Sequence, residues 1–378
     1  MDGIIQLVSL ILYEFIVAFF LNAFRPMEKS KSLYLFLSLT PLALMIMFHN
    51  PIVGNDSMTY YNLFKSLRGQ RLGQVLQNNR YEHGYLLFNW ALGQFTDNPQ
   101  WVFILIGFFI ILSVGFFLKK YIDAPGLVCI LLVETLMVDS WISVARQTIV
   151  VGILFWAFGF IIKKKPLGFA IMVLLASTFH YVAIVLLIAY PLINFTGGGT
   201  TYRGKKLSLV EINLLLISIV VSVSLGGILQ RLLTLFPTYS YYRNGARMNG
   251  DARLAVILQI IVAILMIYVP RIIEPETISS INSENTSRAL YRLSFLNLAI
   301  MIVAVRATLF MRVAGIFSIY RLAYYAICVS ELNYHKNRMI MVGVSVILFA
   351  IYGVIITILK TPEWQSTYPF YWCWQDIA

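Results

Sequence analysis

The side chains of this 378-residue sequence that could do chemistry are few, and most of them are cationic. Arg146 stands in Ser143-Val144-Ala145-Arg146-Gln147, at the start of an apolar run. Arg243 and Arg247 are four apart, a spacing that puts both guanidinia on one face of a helical turn. Arg306, Arg312 and Arg321 fall at or inside two later apolar runs. Arginine offers a rigid fork of donors matched to phosphate oxygens, and several forks together can neutralise a diphosphate leaving group without a metal ion. Snorkelling to lipid phosphates is the plainer explanation for any one of them. An excess of arginine on the side assigned below to the exterior runs against the usual orientation bias, which favours the anion site.

Acids and imidazoles near these cations are fewer still. Asp56 lies in Val53-Gly54-Asn55-Asp56-Ser57-Met58-Thr59-Tyr60-Tyr61, Glu82 in Arg80-Tyr81-Glu82-His83-Gly84-Tyr85, and His180 on an otherwise apolar stretch. Each has an ordinary structural use: Asp56 as a helix N-cap, Glu82 as the same or as a partner of Arg80, His180 as a buried, hydrogen-bonded ring. Any of the three could take the proton of an attacking hydroxyl, and the sequence does not rank them. Aromatic residues crowd the same polar segments: Tyr60, Tyr61, Tyr81, Trp141, Tyr239, Tyr241, Tyr242, Trp364, Tyr368, Trp372 and Trp374. An interfacial belt accounts for most of them, and those set inside loops suit the stacking of sugar rings.

Other chemistries are poorly supported. Gly199-Thr200-Thr201-Tyr202-Arg203-Gly204-Lys205-Lys206 approaches a phosphate-binding loop but has Lys206 where a magnesium-binding hydroxyl belongs, and it follows an apolar run rather than a strand. No Asp-x-Asp pair is present to hold a metal-bound nucleotide sugar, nor a His-Glu-x-x-His. His49, His83, His180 and His335 lack metal-ligand spacing, so no metal or other cofactor is expected. Cys129, Cys328 and Cys373 form no disulfide framework.

The elements that must position these groups are apolar helices. Hydrophobic residues make up 59% of the chain and charged residues 12%, with a mean hydropathy of +0.78. A soluble domain carries about 25% charged residues, so a water-soluble enzyme is excluded. The 29 basic and 17 acidic residues leave a net charge of +12, spread along the chain rather than gathered in a tail. Anionic headgroups and orientation signals, not nucleic acid, are its partners. Apolar runs fall near 4–22, 33–48, 101–118, 126–138, 149–162, 167–193, 209–229, 254–270, 289–305, 313–330 and 339–359. At about 20 residues per span they predict 11 to 12 transmembrane or half-spanning helices, an all-α polytopic membrane protein of one domain. Asp2 and the lack of a basic leader argue against a cleaved signal peptide.

Placing Arg25, Lys29, Lys31, Lys119, Lys120 and Lys163-Lys164-Lys165 in the cytoplasm puts the N-terminus, residues 49–99 and Asp139 to Gln147 outside. The run 167–193 would be about 40 Å long as one helix, so it is either one tilted span or, preferably, two limbs meeting near Ser177-Thr178-Phe179-His180. The two-limb reading puts Arg203, Lys205 and Lys206 inside and a loop of about 230–253 outside. Within 49–99, Tyr85 to Leu92 reads as a helix lying in the interface.

Taken in order, Gly54-x-Asp56 with Tyr60, Tyr81-Glu82-x-Gly84-Tyr85, Ala145-Arg146-Gln147, Phe179-His180-Tyr181-Val182-Ala183, Tyr320-Arg321-x-x-Tyr324-Tyr325 and Tyr368-Pro369-Phe370 resemble the EpsG/Wzy-type polysaccharide polymerases over roughly residues 50 to 372. His83 departs from the small residue or proline expected there. The resemblance implies a GT-C-like glycosyltransferase of the bacterial cytoplasmic (inner) membrane, with its site facing the periplasm or exterior. Its substrates would be undecaprenyl-diphosphate-linked oligosaccharides of O-antigen, capsule or exopolysaccharide, and a chain-length regulator protein is an implied partner. On this reading Arg146, Arg243, Arg247 and Arg321 bind diphosphate, Asp56 or His180 is the base, Glu82 orients sugar hydroxyls, and Gln147, Tyr60 and Tyr325 complete the substrate site. A flippase of the same lipids, or a ligase moving finished polymer, shares much of this chemistry and stays open.

Overall fold

The computed structural model describes residues 2–77, 80–194, 209–235, 253–281, 284–307, 310–360 and 367–376. In lipid every backbone polar group must be satisfied within its own segment, so long apolar runs have to coil into helices. Eight helices among the described residues are long and apolar enough to cross a membrane. They are α1 (Asp2–Phe20), α2 (Lys31–Phe48), α6 (Gln100–Tyr121), α9 (Ala145–Ile162), α13 (Arg253–Ile273), α15 (Asn285–Ala304), α16 (Phe310–Ser330) and α17 (His335–Lys360). Large apolar side chains face outward from such helices, as lipid requires: Phe20 is 75% exposed and Phe36 66%. The chain is an all-α polytopic membrane protein.

Between the spans lie α3 (Ser57–Leu67), α4 (Leu72–Val75), α5 (His83–Leu92), α7 (Gly126–Glu134), α8 (Met137–Ser143), α10 (Pro166–Phe179), a 3-10 segment (Tyr181–Ile188), α11 (Ala189–Asn194), α12 (Leu209–Leu235) and α14 (Pro275–Ile281). Three of them bear on the sequence reading. The run 126–138 falls on α7 and the start of α8, a pair bent by 58°, and Leu136 at the break has a φ of 55°. Asp139 to Gln147 falls on α8 and the start of α9. Of the loop placed at about 230–253, the residues to Leu235 belong to α12 and Arg253 begins α13, while 236–252 lie outside the described residues. The run 167–193 does break where the sequence suggested, at His180 between α10 and the 3-10 segment.

Two compact units divide the chain. One comprises residues 1–160, 167–184 and 339–378, the other 161–166 and 185–338. In the first, α2 lies along α6 and α1 against α7, while α5 packs on α3, α4 and α6. The expected interfacial helix is thus half core, with Tyr85, Leu86 and Asn89 buried. In the second, α15 and α16 pack along each other and are almost wholly enclosed, with α12, α13 and α11 against them.

Candidate functional site

Within the first unit, Glu82 is the centre of a cluster drawn from four elements. Its backbone is extended at the N-cap of α5, and its side chain does not cap that helix. The carboxylate turns instead to the beginning of α9 and the end of α10. Oε2 accepts from Arg146 Nη1 at 2.5 Å, and Oε1 accepts from the Tyr181 backbone N–H at 3.1 Å and from His180 Nδ1 at 2.9 Å. The carboxylate thus reaches Arg146, 64 residues on, whose guanidinium is brought close by helix packing rather than by proximity in the chain.

Gly84 makes this meeting possible. A Cβ there would stand 2.4 Å from Thr178 Oγ1 and 2.7 Å from the Thr178 carbonyl oxygen. The start of α5 therefore lies directly on the end of α10, which carries Glu82, two residues before, to His180, two residues after. A second close approach fixes the α8–α9 joint. Gly54 has a φ of +87°, and a Cβ on it would meet Ser57 Oγ at 2.7 Å and Ser143 Cα at 3.1 Å. Ser57 Oγ donates to the Ile142 carbonyl at 3.1 Å, and Thr148 Oγ1 donates to the Trp141 carbonyl at 3.0 Å. Asp56 sits on this same docked loop, at the N-cap of α3, without a side-chain cap bond.

Aromatic rings surround the cation. The Arg146 guanidinium lies 5.1 Å from the Tyr81 ring centroid and 6.0 Å from that of Tyr60, whose hydroxyl is also a hydrogen-bond partner. Tyr85 packs edge-on to Tyr60 at 5.6 Å. Arg146 is thus no snorkelling residue: its side chain keeps 18% exposure, and its Nε–H is buried with no hydrogen-bond partner. A guanidinium has five N–H donors, so further acceptors can be met there.

Burial by itself would raise the Glu82 carboxyl, but the His180 hydrogen bond and the Arg146 charge outweigh it and hold the value at about 2. Glu82 is therefore an anion at any physiological pH. An ionised carboxylate only accepts, so His180 must carry its proton on Nδ1, and in the neutral ring Nε2 holds the free lone pair. The His180 side chain retains 11% exposure. This arrangement can orient an imidazole as a proton acceptor beside a cation.

The other sequence candidates are dispersed. Gln147 is buried next to Arg146 at 7% exposure, and His83 is exposed at the first turn of α5. Arg321 and Tyr325 belong to the second unit, one turn apart on α16 and both buried; Arg321 Nη1 donates to Asn297 Oδ1 at 2.6 Å. Arg243 and Arg247 lie outside the described residues, as do the P-loop-like segment and Tyr239, Tyr241, Tyr242 and Trp364. No group of three or more metal-ligating side chains occurs among the described residues.

The second unit holds a polar cluster that sequence reasoning missed. Arg271, near the end of α13, donates to the Tyr291 hydroxyl at 3.0 Å and the Tyr324 hydroxyl at 3.4 Å, with its guanidinium 4.0 Å from the Tyr291 ring centroid. The Tyr291 hydroxyl in turn donates to Glu211 of α12. Arg292 Nη1 donates to the Ile193 carbonyl at 2.6 Å, at the end of α11. The signal available was the one that flagged Arg146, a charge at the edge of an apolar run; the partners are 20 to 99 residues away.

The model of the EpsG family matches residues 32–372, nearly the whole chain, and the chain belongs to that family. No curated protein and no solved structure gives a match. Membership supports a role of the polysaccharide-polymerase kind, by a glycosyltransferase-type reaction, in a multi-pass membrane protein.

Proposed function

We propose that this EpsG-family chain is a polysaccharide polymerase that moves a growing glycan from its undecaprenyl-diphosphate carrier onto a hydroxyl of an incoming lipid-linked repeat unit. The observation that carries the reading is the single carboxylate, Glu82, that holds a histidine in a defined tautomer and an arginine at the same place. His180 Nε2 takes the proton of the acceptor hydroxyl as the new bond to the anomeric carbon forms. The old anomeric C–O bond breaks, and its electron pair leaves with the diphosphate as undecaprenyl diphosphate. Arg146 offers its remaining donors to that developing charge in a partly buried site, where such donors act most strongly. Glu82 is a positioning residue in this scheme rather than a contact for sugar hydroxyls. Asp56 is the second candidate for the base, since its loop is docked against the joint that precedes Arg146.

Arg243, Arg247 and Arg321 are assigned to further diphosphate contacts, and Gln147, Tyr60 and Tyr325 to the glycan and carrier, on the family resemblance. The clusters at Arg25 to Lys31, Lys119-Lys120 and Lys163 to Lys165 support a cytoplasmic side opposite residues 49–99, hence a site on the outer face of the bacterial inner membrane. A chain-length regulator is the proposed protein partner. The broken pair α7–α8 favours a flippase of the same lipids, because transporters build sites at such breaks. Purified protein in detergent, given lipid-diphosphate repeat units, separates the two. A glycan ladder that persists with chelator supports a metal-independent polymerase. Absence of any ladder from folded protein with the host's own repeat unit overturns the polymerase and favours transport or ligation.

A further inference from the structure

The C-terminal residues 367–376 end in an aromatic group that the Glu82 cluster does not use. Trp374 is 65% exposed and stacks on Trp372, with ring centroids 5.1 Å apart and planes within 4°. Trp372 is wedged edge-on by Phe370 at 4.9 Å, and Phe48 flanks Trp374 at 6.2 Å. The backbone on either side of Trp374 is hydrogen-bonded. Cys373 N donates to the Phe48 carbonyl at 2.8 Å, and Asn50 N to the Tyr371 carbonyl at 2.9 Å. Trp372 N donates to Gln375 Oε1 at 2.6 Å, and Asn50 Nδ2 to the Gln375 carbonyl at 3.1 Å.

We propose that Trp374, backed by Trp372, is a platform on which a pyranose ring of the polysaccharide chain stacks, outside the Glu82 cluster. The carbohydrate class rests on the polymerase reading above. A tryptophan of the interfacial belt partitions by its own amphipathic ring and needs no fixed backbone under it. Here the ring is locked before anything binds, which lowers the ordering cost of a weak, repeated contact. The exposed, flat apolar face of Trp374 is the kind of surface on which the C–H face of a sugar ring stacks. The platform also connects to the candidate site through the chain: Asn50, which the tail binds, leads within six residues to Asp56 on the loop docked beside Ser143. A polymer that extends from the site has a place to rest before the next transfer.

The test uses full-length protein in nanodiscs and a lipid-free oligosaccharide of several repeat units released from the host's own polysaccharide. Calorimetry is expected to give weak binding that falls about tenfold in Trp374→Ala, equivalent to about 1.4 kcal/mol. Trp374→Phe should fall between the two. The ladder made by Trp374→Ala should shift to shorter modal length while the rate of single addition stays unchanged. Equal binding by wild type and Trp374→Ala, or no binding by wild type, overturns the platform. So does quenching by brominated lipid of the fluorescence that Trp374→Phe removes, which would make Trp374 a belt residue. If wild type forms no ladder yet binds the oligosaccharide through Trp374, the polymerase reading fails and the platform stands.

Discussion

Glu82→Gln removes one charge and almost no volume, so its effect is set by the three hydrogen bonds that the carboxylate accepts. If the amide oxygen keeps the place of Oε1, Tyr181 N–H and His180 Nδ1–H are still accepted, and the amide N–H group then faces Arg146 Nη1, donor against donor. In either orientation Arg146 loses its counter-charge, which costs about 3–5 kcal/mol, and in this one the donor clash falls on the guanidinium as well. If the amide turns over, Arg146 keeps an acceptor, the Tyr181 N–H loses one at about 1–3 kcal/mol, and the amide donates to Nδ1. The second arrangement costs less, so it is the one the variant should adopt. Its consequence is chemical: with Nδ1 accepting, the His180 proton moves to Nε2, and the lone pair that should take the acceptor's proton is gone. Loss of a general base costs about 10²–10⁴ in rate. The expected result, in a ladder assay with purified protein, is a kcat at least about 100-fold down with KM little changed. A monodisperse protein whose melting temperature falls by only a few degrees would confirm that the fold survives. Activity within about threefold of wild type would refute the coupling of Glu82 to His180 and return the base role to Asp56. The same pair of proteins carries a pH signature. Because the folded Glu82 value lies at about 2, below the ordinary 4.5, its stabilisation is fully present above pH 4.5 and is lost as pH falls towards 2. The stability difference between wild type and Glu82→Gln should therefore be level from about pH 5 to 8 and shrink in acid.

Two further substitutions probe the scaffold. Gly84→Ala should push the end of α10 away from α5, because its methyl group would meet the Thr178 backbone; about 1–3 kcal/mol of stability and most of the activity should be lost together, measured by thermal melting and the ladder. Unchanged activity would mean that the α5–α10 contact does not hold the site. In the second unit Glu274 accepts from the Asn333 N–H at 2.8 Å, from Tyr334 N–H at 3.2 Å, from Asn337 Nδ2 at 3.0 Å and from Thr277 Oγ1 at 2.9 Å. Against the opposing effect of burial, these bonds hold its carboxyl below the ordinary range. Glu274→Ala should cost about 3 kcal/mol and open the turn before α17 to hydrogen exchange, a loss that acid reproduces in wild type as the carboxylate is protonated. An exchange pattern identical to wild type would remove Glu274 from that role.

Much of the site was legible residue by residue and little of it as a site. Glu82, Arg146, His180 and Tyr60 all stand out in the sequence because a polar group in or beside an apolar run must have a partner or a purpose. What the sequence leaves open is who partners whom. Glu82 has a basic neighbour at Arg80, yet it also takes Arg146, 64 residues on, because Gly84 lets α5 settle on α10 and the Gly54 loop pins the start of α9. The rank of the three candidate bases had the same obstacle, since a tautomer is set by the group on the other ring nitrogen. Arg271, Tyr291 and Glu211 went unread for a related reason: each lies at the margin of its own helix, and only packing of three helices makes them one network.

The sequence by itself determined that this chain is a bundle of apolar helices, favoured a break near His180 in the run 167–193, and carried the resemblance to the EpsG family. Those properties depend on transfer of each segment into lipid and on local backbone satisfaction, which neighbours in the chain decide. Only the tertiary structure decided that the chain bends by 58° between α7 and α8, and that one carboxylate serves both an imidazole and a guanidinium. Those facts depend on which helix faces meet. Such meetings are set by close contacts at a few glycines and serines far apart in the chain, and no local property of the sequence encodes them.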